Sequence, residues 1–185
     1  MQHITEVKDL KLQNTAIALG KFDGFHRGHQ LLLEQVKTWQ DQGMTGVIFT
    51  FAPAGRQIGV GKHIDSHAEK IRKSVDTGIQ VLLEYPFSEK FARLQPEEFV
   101  DQILIGQLDV KAVAVGSDFH FGRNRAGDAA LLEQLGHRKG FQVKVFDKLQ
   151  EQKRDISSSV IREAIESGDM EQVTACLGHG YTISG

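Results

Sequence analysis

Apolar positions along the chain fall in short dense blocks, separated by longer segments with helical spacing. TAIALG (15–20), GVIFTF (46–51), IQVLLEY (79–85), KAVAVG (111–116) and FQVKVF (141–146) read as strands. The first four are nearly continuous in apolar character, as parallel strands covered on both faces require. Between them the period changes. Leu32, Val36 and Trp39 form a stripe spaced four then three, which stops at Gly43. SHAEKIRKSVDTG opens on Ser66 with Glu69 three residues later, a capping pattern, and ends at Gly78. PEEFVDQIL opens on proline and two glutamates, which suit a helix start. GDAALLEQLGHRKG places Asp128 at its start and a basic cluster at its end, and DISSSVIREAIESG (155–168) reads as a further helix. Strands alternating with helices predict right-handed βαβ units in an α/β fold: a Rossmann-like, doubly wound parallel sheet of about five strands. Residues 52–66 break the pattern, with three glycines and no periodicity. A loop of roughly 15 residues in a compact domain is characteristic of functional or mobile segments.

Composition narrows the classes. A length of 185 residues suits one domain, 1–185, and 40% apolar content suffices for a core. The charge balance, 22 basic against 24 acidic residues, argues against the basic face that duplex nucleic acid needs. It leaves room for a local basic pocket around a phosphorylated small molecule. Cys176 is the single cysteine, so no internal disulfide forms and a reducing, cytoplasmic setting is expected. The polar start, MQHITEVKDLKLQN, lacks the apolar core of a signal peptide, and no apolar run approaches the ~20 residues of a membrane span.

Three stretches carry candidate chemistry, each following a predicted strand or opening a helix. GKFDGFHRGH (20–29) crowds Gly20, Phe22, Asp23, Gly24, His26, Gly28 and His29 between the first strand and a helix. In a doubly wound sheet ligands sit beyond the carboxyl ends of the strands. Free amides at a helix mouth attract phosphate, glycines let it approach, and histidines add donors to a developing oxyanion. A tight turn with two surface histidines, or a metal pair at i and i+3, are the competing readings. No second cluster with metal-ligand spacing accompanies that pair.

ISSSVIR sets Ser157, Ser158 and Ser159 at a helix mouth, where any of them can cap. Arg162 opposes the helix dipole there unless an anion lies between, or it pairs with Glu166 on the same face. VGSDFHFGRNRAGD (115–128) brings Asp118, Phe119 and Phe121 to the same end of the sheet, aromatic and acidic groups suited to a flat heterocycle or to core packing.

Together these stretches resemble the prokaryotic FAD synthetase family, specifically its FMN adenylyltransferase module, within the nucleotidylyltransferase superfamily. The superfamily's histidine-any-glycine-histidine signature reads His26-Arg27-Gly28-His29 here, and ISSSVIR and VGSDFHFGRNRAGD match the nucleotide and flavin stretches. AEKIRKSVDTGIQ and FARLQPEEFV are also similar to family segments.

The resemblance implies that AMP passes from ATP to FMN to give FAD and pyrophosphate, with Mg²⁺ on the phosphates. His26, His29 and Arg162 would serve the chemistry. Gly20, Phe22, Asp23, Gly24, Gly28, Ser157, Ser158 and Ser159 would surround the nucleotide, and Phe51, Pro53, Asp118, Phe119 and Phe121 the flavin. Two departures stand out. The family's Thr-Phe-Asp-Pro-His-Pro is Thr50-Phe51-Ala52-Pro53-Ala54-Gly55 here, and the chain stops at GYTISG where members continue into a riboflavin kinase domain, so kinase activity is not expected. A transferase with a different phosphorylated acceptor, or a nucleotide- or flavin-binding protein without turnover, are the alternatives.

Overall fold

A computed structural model describes residues 1–52 and 63–181. The elements are β1 (Gln2–Ile4), β2 (Thr15–Leu19), α1 (Arg27–Asp41), β3 (Thr45–Phe51), α2 (His67–Asp76), β4 (Val81–Tyr85), α3 (Glu89–Ala92) and α4 (Pro96–Glu98). A π-helical segment (Phe99–Ile105) leads to β5 (Val110–Gly116). The hairpin of β6 (His120–Phe121) and β7 (Gly127–Asp128) precedes α5 (Ala129–Lys139) and β8 (Gln142–Phe146). A second hairpin, β9 (Gln150–Glu151) with β10 (Arg154–Asp155), precedes α6 (Ser158–Ser167) and α7 (Met170–Leu177).

The main sheet has six strands in the order β1-β4-β3-β2-β5-β8, all parallel. All five predicted strands are present. The sixth, β1, is a three-residue edge strand whose sequence, QHI, carries no alternation to betray it. A second correction concerns PEEFVDQIL. It is α-helical only through Glu98 and then widens to π spacing, with the Gly106 amide donating to the Asp101 carbonyl five residues back. That wider turn keeps Phe99, Val100, Ile103 and Leu104 all buried.

Alternate residues of the same strands supply two opposite core faces. Ile17, Leu19, Val47, Phe49, Val113 and Val115 pack with Leu132 and Leu135 of α5. Ala16, Ala18, Ala112 and Ala114 face the other way, and their small side chains let Val36 and Trp39 of α1 approach the sheet. A smaller core joins Ile64 to Ile156, Ile161, Val173, Cys176 and Leu177, tying α6 and α7 to the end of the sheet.

The expected helix starts hold. Ser66 and Glu69 form a reciprocal capping box. Asp128 caps α5, and Ser157 caps α6. Strand order reverses between β2 and β5, so the loops after these two strands flank the crevice where ligands of such sheets sit. Among the described residues no helix is long and apolar enough to cross a membrane.

Candidate active site

The loop after β2 is held in an unusual backbone path. Phe22 and Phe25 adopt φ of 49° and 47°, and Gly24 between them 86°. The left-handed region costs an L-residue roughly 1–2 kcal/mol. Burial offsets that cost, since the two rings pack into the α1 face of the core with centroids 5.8 Å apart. Phe22 is wholly buried at 0% exposure, so it shapes the loop from beneath. Gly24 has no substitute: a Cβ there would meet Ile64 at 3.0 Å, on a φ that disfavours side chains. Its amide donates to the Asp65 carboxylate at 3.1 Å.

Asp23 ties three distant segments together. Its Oδ1 accepts from the amides of Ile64 (2.9 Å) and Asp65 (3.4 Å). Its Oδ2 pairs with the Arg162 guanidinium at 2.9 Å, and its carbonyl accepts from Ser158 Oγ at 3.0 Å. Arg162 also donates to Ser159 Oγ at 3.2 Å. The predicted serine mouth and Arg162 thus reach the first loop through Asp23.

The histidines stand at the mouth of α1. His26 Nδ1 accepts from the His29 amide at 3.3 Å and so caps the helix. With Nδ1 accepting, the neutral ring carries its proton on Nε2, which is left as a donor. The rings stack with centroids 3.7 Å apart and planes inclined by 19°, and Phe22 lies 4.9 Å from His29. A Cβ at Gly28 would sit 3.2 Å from the His26 ring, so glycine lets the stack form. Burial lowers His26 to about 4, against the opposing pull of Asp23 and Asp118. Burial lowers His29 well below its usual range, helped by His26 and Lys70. Both rings are therefore neutral donors near pH 7. The buried Nδ1 of His29 has no hydrogen-bond partner among the described residues. The metal-pair reading fares worse: side-by-side rings do not converge their lone pairs, and no group of three His, Cys, Asp or Glu among the described residues could hold a metal ion.

Across the crevice the groups are looser. Asp118 is exposed and pairs with Lys148 at 3.3 Å. Phe119 is half-buried and stacks on Phe121 with centroids 5.6 Å apart, whereas Phe121 is buried against Phe99. Phe121 is thus a core residue and Phe119 the less buried of the two rings. Phe51, at the end of β3, is half-buried among Phe87 and Phe91. Pro53, Ala54 and Gly55, with the rest of 53–62, lie outside the described residues.

Two participants were not anticipated. Asp65 accepts from Gly24 and pairs with Lys73 at 2.6 Å. Lys70 of α2 reaches the ends of β2 and β3, donating to the Lys21 carbonyl (2.9 Å) and Thr50 Oγ1 (2.7 Å). Neither carries a local signal, because both are set by contacts across distant segments. Arg27, inside the signature, turns away from the histidines to Glu151 (2.7 Å) and the Ala175 carbonyl (3.3 Å).

The arrangement matches known proteins. A family model described as FAD synthetase covers residues 8–160. A bifunctional riboflavin kinase/FMN adenylyltransferase from Bacillus subtilis (strain 168) is 35% identical over 193 residues, which cover 99% of this chain and 60% of that protein. The protein of the same name from Escherichia coli (strain K12) is 30% identical over 178 residues, 94% of this chain and 57% of that protein. A solved structure described as a macrolide-efflux protein from Streptococcus pneumoniae is 27% identical with a TM-score of 0.83, covering 98% of this chain and 61% of that chain. The chain spans about 60% of the length of these relatives. The family match spans the loop after β2 and the stacked histidines and reaches the first residues of the serine-capped helix, and the chain belongs to the FAD synthetase family.

Proposed function

We propose that the chain is an FMN adenylyltransferase, joining AMP from ATP to FMN to give FAD and pyrophosphate. The observation that carries this reading is the stacked pair of neutral histidines, with an unpartnered buried nitrogen, at a helix mouth beside the topological switch. An oxygen of the FMN phosphate attacks the α-phosphorus of ATP while the bond to the bridging β-oxygen breaks. A phosphate monoester is already anionic at neutral pH, so alignment and charge stabilisation suffice without a strong base. His26 and His29, with the first amides of α1 at Gly28, hold the triphosphate. Arg162, Ser157, Ser158 and Ser159 receive the outer phosphates as pyrophosphate leaves, and Asp23, Gly20 and Gly24 fix the loop around them. Phe51, Phe119 and Asp118 line the flavin side.

Mg²⁺ would enter on the nucleotide, since the described residues offer no cluster to hold it alone, and it would neutralise phosphate charge. A reducing, cytoplasmic compartment fits the lone Cys176. The Ala52 to Gly55 departure favours a second reading, a different phosphorylated acceptor on the same donor machinery. Incubation with MgATP and FMN, followed by chromatography of the flavins, tests the first: FAD supports it, and ATP binding without FAD overturns it.

A further inference from the structure

Lys70 occupies a place that neither the signature motifs nor the nucleotide residues explain. It sits on the second turn of α2, yet its ammonium is drawn inward to the carboxyl ends of β2 and β3. Both hydrogen bonds there go to neutral acceptors, the Lys21 carbonyl and Thr50 Oγ1. An ammonium carries three donors, so among the described residues one remains. Among the described residues no carboxylate lies within ion-pair distance of it. Glu84, Asp23 and Asp65 act on it only through space, and Glu84 is itself engaged by His3 and His67, each at 2.9 Å.

A half-buried ammonium whose direct partners among the described residues are neutral has been desolvated with its nearest carboxylates beyond ion-pair reach. Such a group is stabilised when an anion docks. Burial pulls Lys70 below the ordinary lysine range, while the three carboxylates pull it back. Its charge also contributes, after burial and His26, to lowering His29.

Position decides which anion. Arg162 and the serine mouth approach Asp23 from α6, on the side assigned above to the outer phosphates. Lys70 approaches from α2 and is fixed at the carboxyl ends of β2 and β3, through the Lys21 carbonyl and Thr50 Oγ1. The attacking phosphate must lie between the flavin and the α-phosphorus. Resting on the adenylyltransferase reading, we propose that Lys70 binds the phosphate of the acceptor and so makes the site select FMN over riboflavin.

The test compares flavins with and without a phosphate. FMN and riboflavin are titrated by fluorescence into wild type, Lys70→Met and Lys70→Arg, and a non-hydrolysable ATP analogue by calorimetry. Lys70→Met should weaken FMN roughly ten- to hundredfold, the scale of a hydrogen bond to a charged group. Riboflavin should change less than about twofold and the ATP analogue less than about threefold, while Lys70→Arg keeps most of the preference for FMN. Equal losses for FMN and riboflavin would assign Lys70 to holding β2 and β3 together. A loss confined to the ATP analogue would move it to the donor phosphates, and unchanged affinities would leave it no ligand. Each of these overturns the proposal while FAD synthesis by wild type still stands. Wild type that makes no FAD, by contrast, removes the reaction itself and this inference with it.

Discussion

On the β2 side of the crevice most polar groups are engaged before any ligand arrives, with His29 Nδ1 the exception among the described residues. Asp23 alone receives bonds from Ile64, Asp65, Arg162 and Ser158, and the His26 ring is fixed by the His29 amide. On the β5 side Asp118, with its side chain 61% exposed, is held by one lysine, and Phe119 is only half-buried on Phe121. The difference suits the two tasks proposed for the two sides. Stabilising charge at a phosphorus requires donors already aimed, because reorganising them during reaction would consume the gain. Seating a flat ring requires mainly apolar area, which tolerates looser construction.

The comparison breaks first, if it breaks, at His29. His29→Ala should lower kcat roughly 10²–10³-fold, the cost of losing one preorganised donor, with a far smaller change in ATP affinity. Steady-state kinetics decide it, and a rate within threefold of wild type would remove the histidine from the chemistry.

Next in size is a pH effect that the looser side should lack. His26 sits at about 4 in the folded protein against an unperturbed ~6.5, so between these values the unfolded chain binds the extra proton. Stability should therefore fall as pH drops from about 6.5 towards 4, by at most about 3 kcal/mol from this residue. Urea denaturation at pH 7.5 and 4.5 measures it. His26→Gln should flatten the slope, and a variant with wild-type pH dependence would refute the assignment.

The sequence showed some of this architecture and hid the rest for identifiable reasons. Ser66 with Glu69 and Asp128 were legible because a cap is decided within four residues. The apolar strands were legible because burial on both faces leaves little room for polar residues. β1 was not, since an edge strand of three residues owes its existence to β4 and not to its own composition. The left-handed path of the first loop was signalled only by Gly24; Phe22 and Phe25 share it because their buried rings hold them there. Arg162 was recognised as a residue in need of an anion, but its carboxylate partner comes from 139 positions earlier and no local pattern announces it.

That ion pair gives a smaller test. Arg162→Ala should weaken ATP roughly tenfold, and AMP less, if the guanidinium serves the outer phosphates as well as Asp23. Calorimetry with both nucleotides separates the roles, and equal losses would mean that Arg162 acts only by holding the loop. The smallest effect belongs to the half-buried aromatic. Phe119→Ala should weaken FMN by a few-fold, about 1 kcal/mol or less, with ATP unchanged. An unchanged FMN affinity would take Phe119 off the flavin side.

The placement of β1 also bears on the order in which the molecule assembles. Gln2, His3 and Ile4 pair with Val81, Leu82 and Leu83, nearly eighty positions later, whereas α1 and β3 lie close in sequence to the strand they pack on. A growing chain presents β1 well before the docking edge on β4. Parallel pairing over such a span closes a large loop before any contact rewards it. The β1 segment is thus compelled to wait until β4 exists. Its polar sequence, which concealed it as a strand, also keeps it soluble in the interval.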